Sequence, residues 1–128
     1  MTTAPLALLA SVARKIGTAT TLKATARRAP LTWRDGTDPY VVVTQVTPIS
    51  PTLRGDGSTL RDRIQIQASL WETEQDTDDG RLVALVDALD GTWIDVDSRG
   101  TVVETLLVPD EDTASIHHAV TVRYLVSR

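Results

Sequence analysis

The chain has 128 residues, 41% of them apolar and 23% charged, a composition that fits one packed domain and excludes a disordered tail. It contains no cysteine, so disulfides, thiolate metal sites and a cysteine nucleophile are excluded together. The net charge of −4 disfavours a phosphate-gripping nucleic-acid binder, yet it is unevenly placed: residues 1–70 hold nine Lys and Arg against four Asp and Glu, residues 71–128 four against thirteen.

In chain order, the first expected element is a helix. Thr3 can cap it, Pro5 suits its first turn, Leu9, Val12 and Ile16 recur at helical spacing, and Gly17 is expected to stop it. The apolar stretch is followed, not preceded, by Arg14 and Lys15, so it does not read as a targeting signal, and no run is long enough to cross a bilayer. Residues 18–38 are basic and irregular; Thr20 to Ala24 is a candidate short strand, and Ala29-Pro30 and Arg34 to Pro39 mark loops and turns.

Tyr40 to Val46 is β-branched and continuous, a strand buried on at least one face. Pro48 and Pro51 are expected to end it. Arg63 to Trp71 then alternates, with Ile64, Ile66, Ala68 and Leu70 on one face and Gln65, Gln67 and Ser69 on the other, which predicts an antiparallel partner in a long hairpin. The connection PISPTLRGDGST is longer than a hairpin requires, so contact with something outside the subunit is expected. Its Arg54-Gly55-Asp56 has the letters of an adhesion tripeptide, but small residues and the glycines 55 and 57 make it a strand-joining loop in which those letters are a coincidence.

Thr73-Glu74-Gln75-Asp76 reads as a capping box that opens a second helix running through Leu82, Leu85, Val86 and Leu89 to Gly91. Thr92 to Val96 and Thr101 to Val108 are expected strands around a turn at residues 97–100, with Gly100 free to take a positive φ. Ile116 to Val126 alternates as a closing strand. The order of elements predicts an α+β fold: an antiparallel or mixed sheet, two helices packed on one face, and a long β-hairpin loop.

Sites of chemistry are weakly signalled. Residues 95–100 resemble the start of a calcium loop, but Arg99 occupies a ligand position and Leu106 stands where a bidentate Glu belongs. Asp76, Asp78 and Asp79 suit a helix start better than a metal cluster. His117 and His118 are neighbours on a strand and point to opposite faces, so they cannot share a metal; one suits cross-strand packing and the other the surface. No nucleophile elbow, phosphate loop or HExxH pattern is present, so no catalytic residue, cofactor or metal is expected.

The run Pro39 to Val43, then Pro51 to Gly57, then Arg61-x-Arg63-Ile64-Gln65-Ile66 ending at Trp71 resembles the tail-terminator, or tail-completion, proteins of long-tailed bacteriophages. Leu82 to Gly91 and His118 to Tyr124 look like that family's second helix and last strand. The resemblance implies a non-catalytic virion protein, assembled in the host cytoplasm, that forms a ring, hexameric in the family, at the head-proximal end of the tail. Its implied partners are other copies of itself, the tail tube protein and the head-tail connector, with DNA passing through the lumen without specific binding. The alternative is another connector component or a tube subunit. The expected interface residues are Leu53, Arg54, Gly55, Asp56 and Gly57 in the hairpin connection, Arg27 and Arg28 in the basic region, and Asp110, Glu111 and Asp112 among the late acids. The charge split is either an ordinary solvated surface or a basic and an acidic face that meet between copies.

Overall fold

A computed structural model describes residues 5–34, 36, 38–45, 50–53, 59–73, 76–91, 99–110 and 115–127. The chain runs α1 (Pro5–Ala19), β1 (Lys23–Ala26), α2 (Leu31–Arg34), β2 (Tyr40–Gln45), β3 (Ser50–Leu53), β4 (Thr59–Thr73), α3 (Asp79–Leu89), β5 (Arg99–Asp110) and β6 (Ser115–Ser127). The strands form one sheet in the order β1-β2-β4-β6-β5, and β3 also pairs with β4. β1 and β2 are parallel and the other pairs antiparallel, so the sheet is mixed, as expected.

One face of this sheet is covered by α1 and α3. Leu8, Leu9, Val12, Ala13 and Ile16 of α1 and Leu85 and Leu89 of α3 join Val41 and Val43 of β2, Ile64, Ile66, Ala68 and Leu70 of β4, and Val120, Val122 and Tyr124 of β6 in a single core. The period-two pattern of β4 and the helical spacing in α1 select this face, because each places all its large aliphatics on one side. With so few aromatics, β-branched and leucine side chains fill the layer between sheet and helices.

Several boundaries differ from those the sequence predicts. α1 continues through Gly17, at which a Cβ would meet nothing within 4 Å, and ends at Ala19. The stop comes from Thr20, whose hydroxyl donates to the Ile16 carbonyl at 2.7 Å and accepts from the Leu22 N–H at 3.1 Å. Such local side-chain bonds compete with the helical ladder and end it. Thr3 lies outside the described residues.

β2 and β4 pair as the expected hairpin, from Tyr40↔Trp71 to Gln45↔Ile66. Their connection is not all loop, since β3 lies within it and pairs with β4 from Ser50↔Arg63 to Leu53↔Thr59. Pro51 is therefore inside a strand, one that pairs on a single side among the described residues, the setting in which a strand accepts proline. β4 starts earlier and ends later than its alternating core, at Thr59 and Thr73.

The second long helix does not open at Thr73, which is still in β4; Glu74 and Gln75 lie outside the described residues. It opens six residues later at Asp79, capped by Asp78, whose carboxylate accepts from the Gly80 N–H at 2.8 Å. A Cβ at residue 80 would stand 3.0 Å from that carboxylate oxygen, so the glycine makes room for the cap. The helix ends before Gly91, whose φ of 69° carries the chain out and whose N–H donates to the Gly100 carbonyl at 2.8 Å.

Gly100 takes no positive φ. It is the second residue of β5, and a Cβ there would stand 2.6 Å from the Leu89 carbonyl and 3.0 Å from the Tyr124 ring. Close approach of the α3 terminus, not turn geometry, requires this glycine. The expected strand at residues 92–96 lies outside the described residues.

Candidate interaction cleft on the uncovered face of the sheet

The second face of the sheet is opposite the helices. Along β2 it carries Tyr40, Val42 and Thr44, along β4 Gln67, Ser69 and Trp71, and on β6 His117, because these alternate with the core residues. Together with Arg27, Arg28, Ala29 and Arg34 they line an open cleft of about 340 Å³. A narrower extension, about 30 Å³, runs past Arg34, Gly36, Asp38, Tyr40, Trp71, Glu72 and Thr73.

The wall of arginines is built by a sharp departure from β1. Arg27 has φ 74°, a left-handed conformation that costs an L-residue roughly 1–2 kcal/mol. Two backbone bonds hold it: the Arg27 N–H donates to the Val43 carbonyl at 2.7 Å and the Arg28 N–H to the Ala26 carbonyl at 2.9 Å. The chain then passes through buried Ala29 into α2, whose Trp33 and Arg34 N–H groups both donate to the Pro30 carbonyl. Arg27, Arg28 and Arg34 make no ion pair among the described residues.

The floor is aromatic. Trp33 and Tyr40 have ring centroids 6.2 Å apart, Tyr40 and Trp71 6.5 Å, and Trp71 and His117 4.3 Å with planes only 8° from parallel. The register places Tyr40 opposite Trp71 and Trp71 opposite His117, so three of the four rings are successive cross-strand neighbours on one face. Lys23 adds a cation 5.7 Å from the Trp33 ring and pairs with exposed Asp38 at 3.3 Å.

Electrostatics follow from this packing. Burial lowers the His117 pKa from its ordinary value, and neighbouring His118 lowers it further. Its Nε2 is buried with no hydrogen-bond partner among the described residues. Burial raises the Tyr40 pKa, against the opposing effect of Arg34. Ser69 Oγ accepts from the Gln67 amide at 2.8 Å. The lining can hold a flat or anionic group through stacking and guanidinium bonds.

A second polar cluster lies on the helix-covered face. Glu72 is 4% exposed and follows Leu70 on the inward side of β4. Its Oε2 accepts from Arg81 Nη1 at 2.7 Å and from the Asp78 N–H at 3.1 Å; its Oε1 lies 2.9 Å from His118 Nε2. Arg81 also donates to the Asp76 carboxylate and carbonyl, each at 3.0 Å. The cluster ties the end of β4 to β6 and to the first turn of α3. His117 and His118 do point to opposite faces; the sequence expects one in cross-strand packing, which is His117, and the other at the surface, whereas His118 meets this buried carboxylate.

The residues expected at an interface fall in three places. Arg27 and Arg28 are in the cleft wall. Leu53 ends β3, opposite Thr59, and Asp110 ends β5, opposite Ser115. Arg54, Gly55, Asp56 and Gly57 lie outside the described residues, as do Glu111 and Asp112. Thr59 and Thr73 bound β4, and Thr73 pairs with Ser115, so Leu53 and Asp110 stand at opposite ends of the sheet, separated by roughly 45 Å of strand. The aromatic floor and the Glu72 cluster carry no local motif. A signal existed only for Glu72, which continues the inward positions of β4 as a lone carboxylate.

No family model matches the chain, and no curated protein matches it. Among solved structures it is similar to a chain of the virion of a native gene transfer agent particle, with 20% identity, 91% of this chain and 84% of that chain covered, and a TM-score of 0.48.

Proposed function

We propose that this chain is a structural virion protein, a tail terminator whose copies form a ring at the head-proximal end of a phage tail tube. The observation that carries the reading is the two-ended sheet. β4 and β6 form one long ladder, with Leu53 of β3 at one end and Asp110 of β5 at the other. A terminator needs unlike axial ends, one to seat on the tube and one to receive the head, and unlike sides for cyclic closure. The resemblance of Pro39–Val43, Pro51–Gly57, Arg61–Trp71, Leu82–Gly91 and His118–Tyr124 to tail-terminator proteins supports the same reading. Under it, residues 53–57 contact the adjoining ring, the partners are the tube and connector proteins, and DNA crosses the lumen without specific binding.

Electron microscopy of the purified protein, alone and added to polymerising tail tube protein, tests this. Closed rings, and tubes whose growth stops when the protein is added, are the expected result. Open-ended tubes from this chain alone would assign it to the tube, and tubes whose length ignores its presence would remove the terminator role.

A further inference from the structure

We infer that the arginine-walled cleft is a socket for a second copy of this chain, and that its occupant is the neighbour's acidic segment Pro109-Asp110-Glu111-Asp112. The inference rests on the ring reading and gives it a specific lateral contact.

Three observations support it. The cleft presents Arg27, Arg28 and Arg34 without an ion-pair partner among the described residues, above a floor of stacked rings. The same chain carries three consecutive acids at 110–112, in the half of the sequence that holds thirteen of the seventeen carboxylates. The placement of the two is complementary. The arginines flank β1 and β2 at one edge of the sheet, while Asp110 ends β5, the strand at the other edge. Along the strands the Trp71 and His117 end of the cleft is two register positions from Thr73 and Ser115, and Ser115 pairs with Asp110. The Arg27 end, beside Val43, lies five positions from Ser115, so the neighbour is offset along the strand direction.

Within one subunit, three strand spacings separate β2 from β5, roughly 14 Å, so a single copy keeps Asp110 and the arginines at opposite edges of the sheet. A neighbour placed side by side brings its β5 edge to this β1 edge. Socket and plug then differ on each subunit, which is the heterologous geometry that closes into a ring. Guanidinium–carboxylate pairs supply direction and register, and the aromatic floor covers the stems.

The chain has no cysteine, so engineered cysteines report only the designed contact. Thr44→Cys lines the cleft and Thr113→Cys follows the acids, and neither removes a charge. When differently tagged Thr44→Cys and Thr113→Cys proteins are mixed and oxidised, the expected product is the mixed disulfide. Its yield should fall at least tenfold when Arg27→Glu and Arg28→Glu are added to the cleft partner. It should recover when the other partner carries Asp110→Lys and Asp112→Lys. Exposed Val83→Cys on α3 serves as the random-collision control. A second readout needs no variant: self-association of the unaltered protein, followed by native mass spectrometry and sedimentation, should weaken as salt rises.

Rings that form without mixed disulfide above the Val83 control, or whose stability ignores salt, would overturn the socket and leave the ring reading standing. A protein that stays monomeric and gives no cross-link, with and without tube protein, would overturn both. Tight binding of a single-stranded oligonucleotide that is lost in Arg27→Glu/Arg28→Glu, without the mixed disulfide, would assign the cleft to nucleic acid instead.

Discussion

Glu72 shows how one side chain can hold three elements. Its carboxylate is buried, so its charge is tolerable only because Arg81, His118 and the Asp78 N–H surround it. Arg81 keeps Asp76 and some solvent, so Glu72→Ala leaves one cation partly served, and the expected cost is about 3 kcal/mol, the low end for breaking a buried pair. Urea unfolding reads this directly, and a loss below about 1 kcal/mol would show that the carboxylate is not the tie between β4 and α3. His117 makes the pH prediction. Its folded pKa is lowered by burial and by His118, so the unfolded chain binds the proton first as pH falls. Its contribution is fully present above the unfolded value, near 6.5, and is lost as pH drops through that value toward the lower folded one. The stability difference between pH 7.5 and pH 5.5 should therefore be smaller in His117→Phe than in the unaltered protein, and an equal difference would remove His117 as a source. Gly100 needs neither charge nor flexibility; the Leu89 carbonyl and the Tyr124 ring leave no room for a Cβ.

At the scale of elements, end signals and interior patterns carried different weight. The apolar stripe of α1 and the alternation of β4 and β6 match the structure because each encodes which face is buried. Their ends were set by single hydrogen bonds: Thr20 on Ile16 for α1, Asp78 on Gly80 for α3. Gly17 makes the difference measurable. It sits inside an exposed stretch of α1 with space where its side chain would be and no positive φ. Gly17→Ala should accordingly raise stability by about 1 kcal/mol, seen as a higher urea midpoint at unchanged slope. An unchanged or lower midpoint would mean that the helix effectively ends before residue 17. β3 escaped prediction because Pro51 reads as a breaker, and only pairing on one side makes a proline acceptable in a strand.

At the scale of the molecule, the helices seal one face of the sheet and leave the other to build a cleft. That division makes the uneven charge consequential. Arg27, Arg28 and Arg34 gather at the β1 edge and Asp110 ends β5 at the other edge, and under the proposed ring each would meet the other. The Leu53 side of the long ladder is left for an axial contact under the proposed function.

The sequence by itself determined the fold class, the two major helices, the hairpin of β2 with β4 and the closing strand, because hydrophobic period is a local property that survives without knowledge of partners. It also made His117 and His118 face apart, since adjacent strand residues must. Only the tertiary structure decided the parallel pairing of β1 with β2, the buried Glu72–Arg81–His118 cluster, the role of Gly100 and the cleft itself. Trp33, Tyr40, Trp71 and His117 are spread over 85 positions of sequence, and Arg27 to Arg34 fold over them only after a left-handed turn. Register and chain reversal bring such residues together, and neither is written in any window short enough to read along the chain.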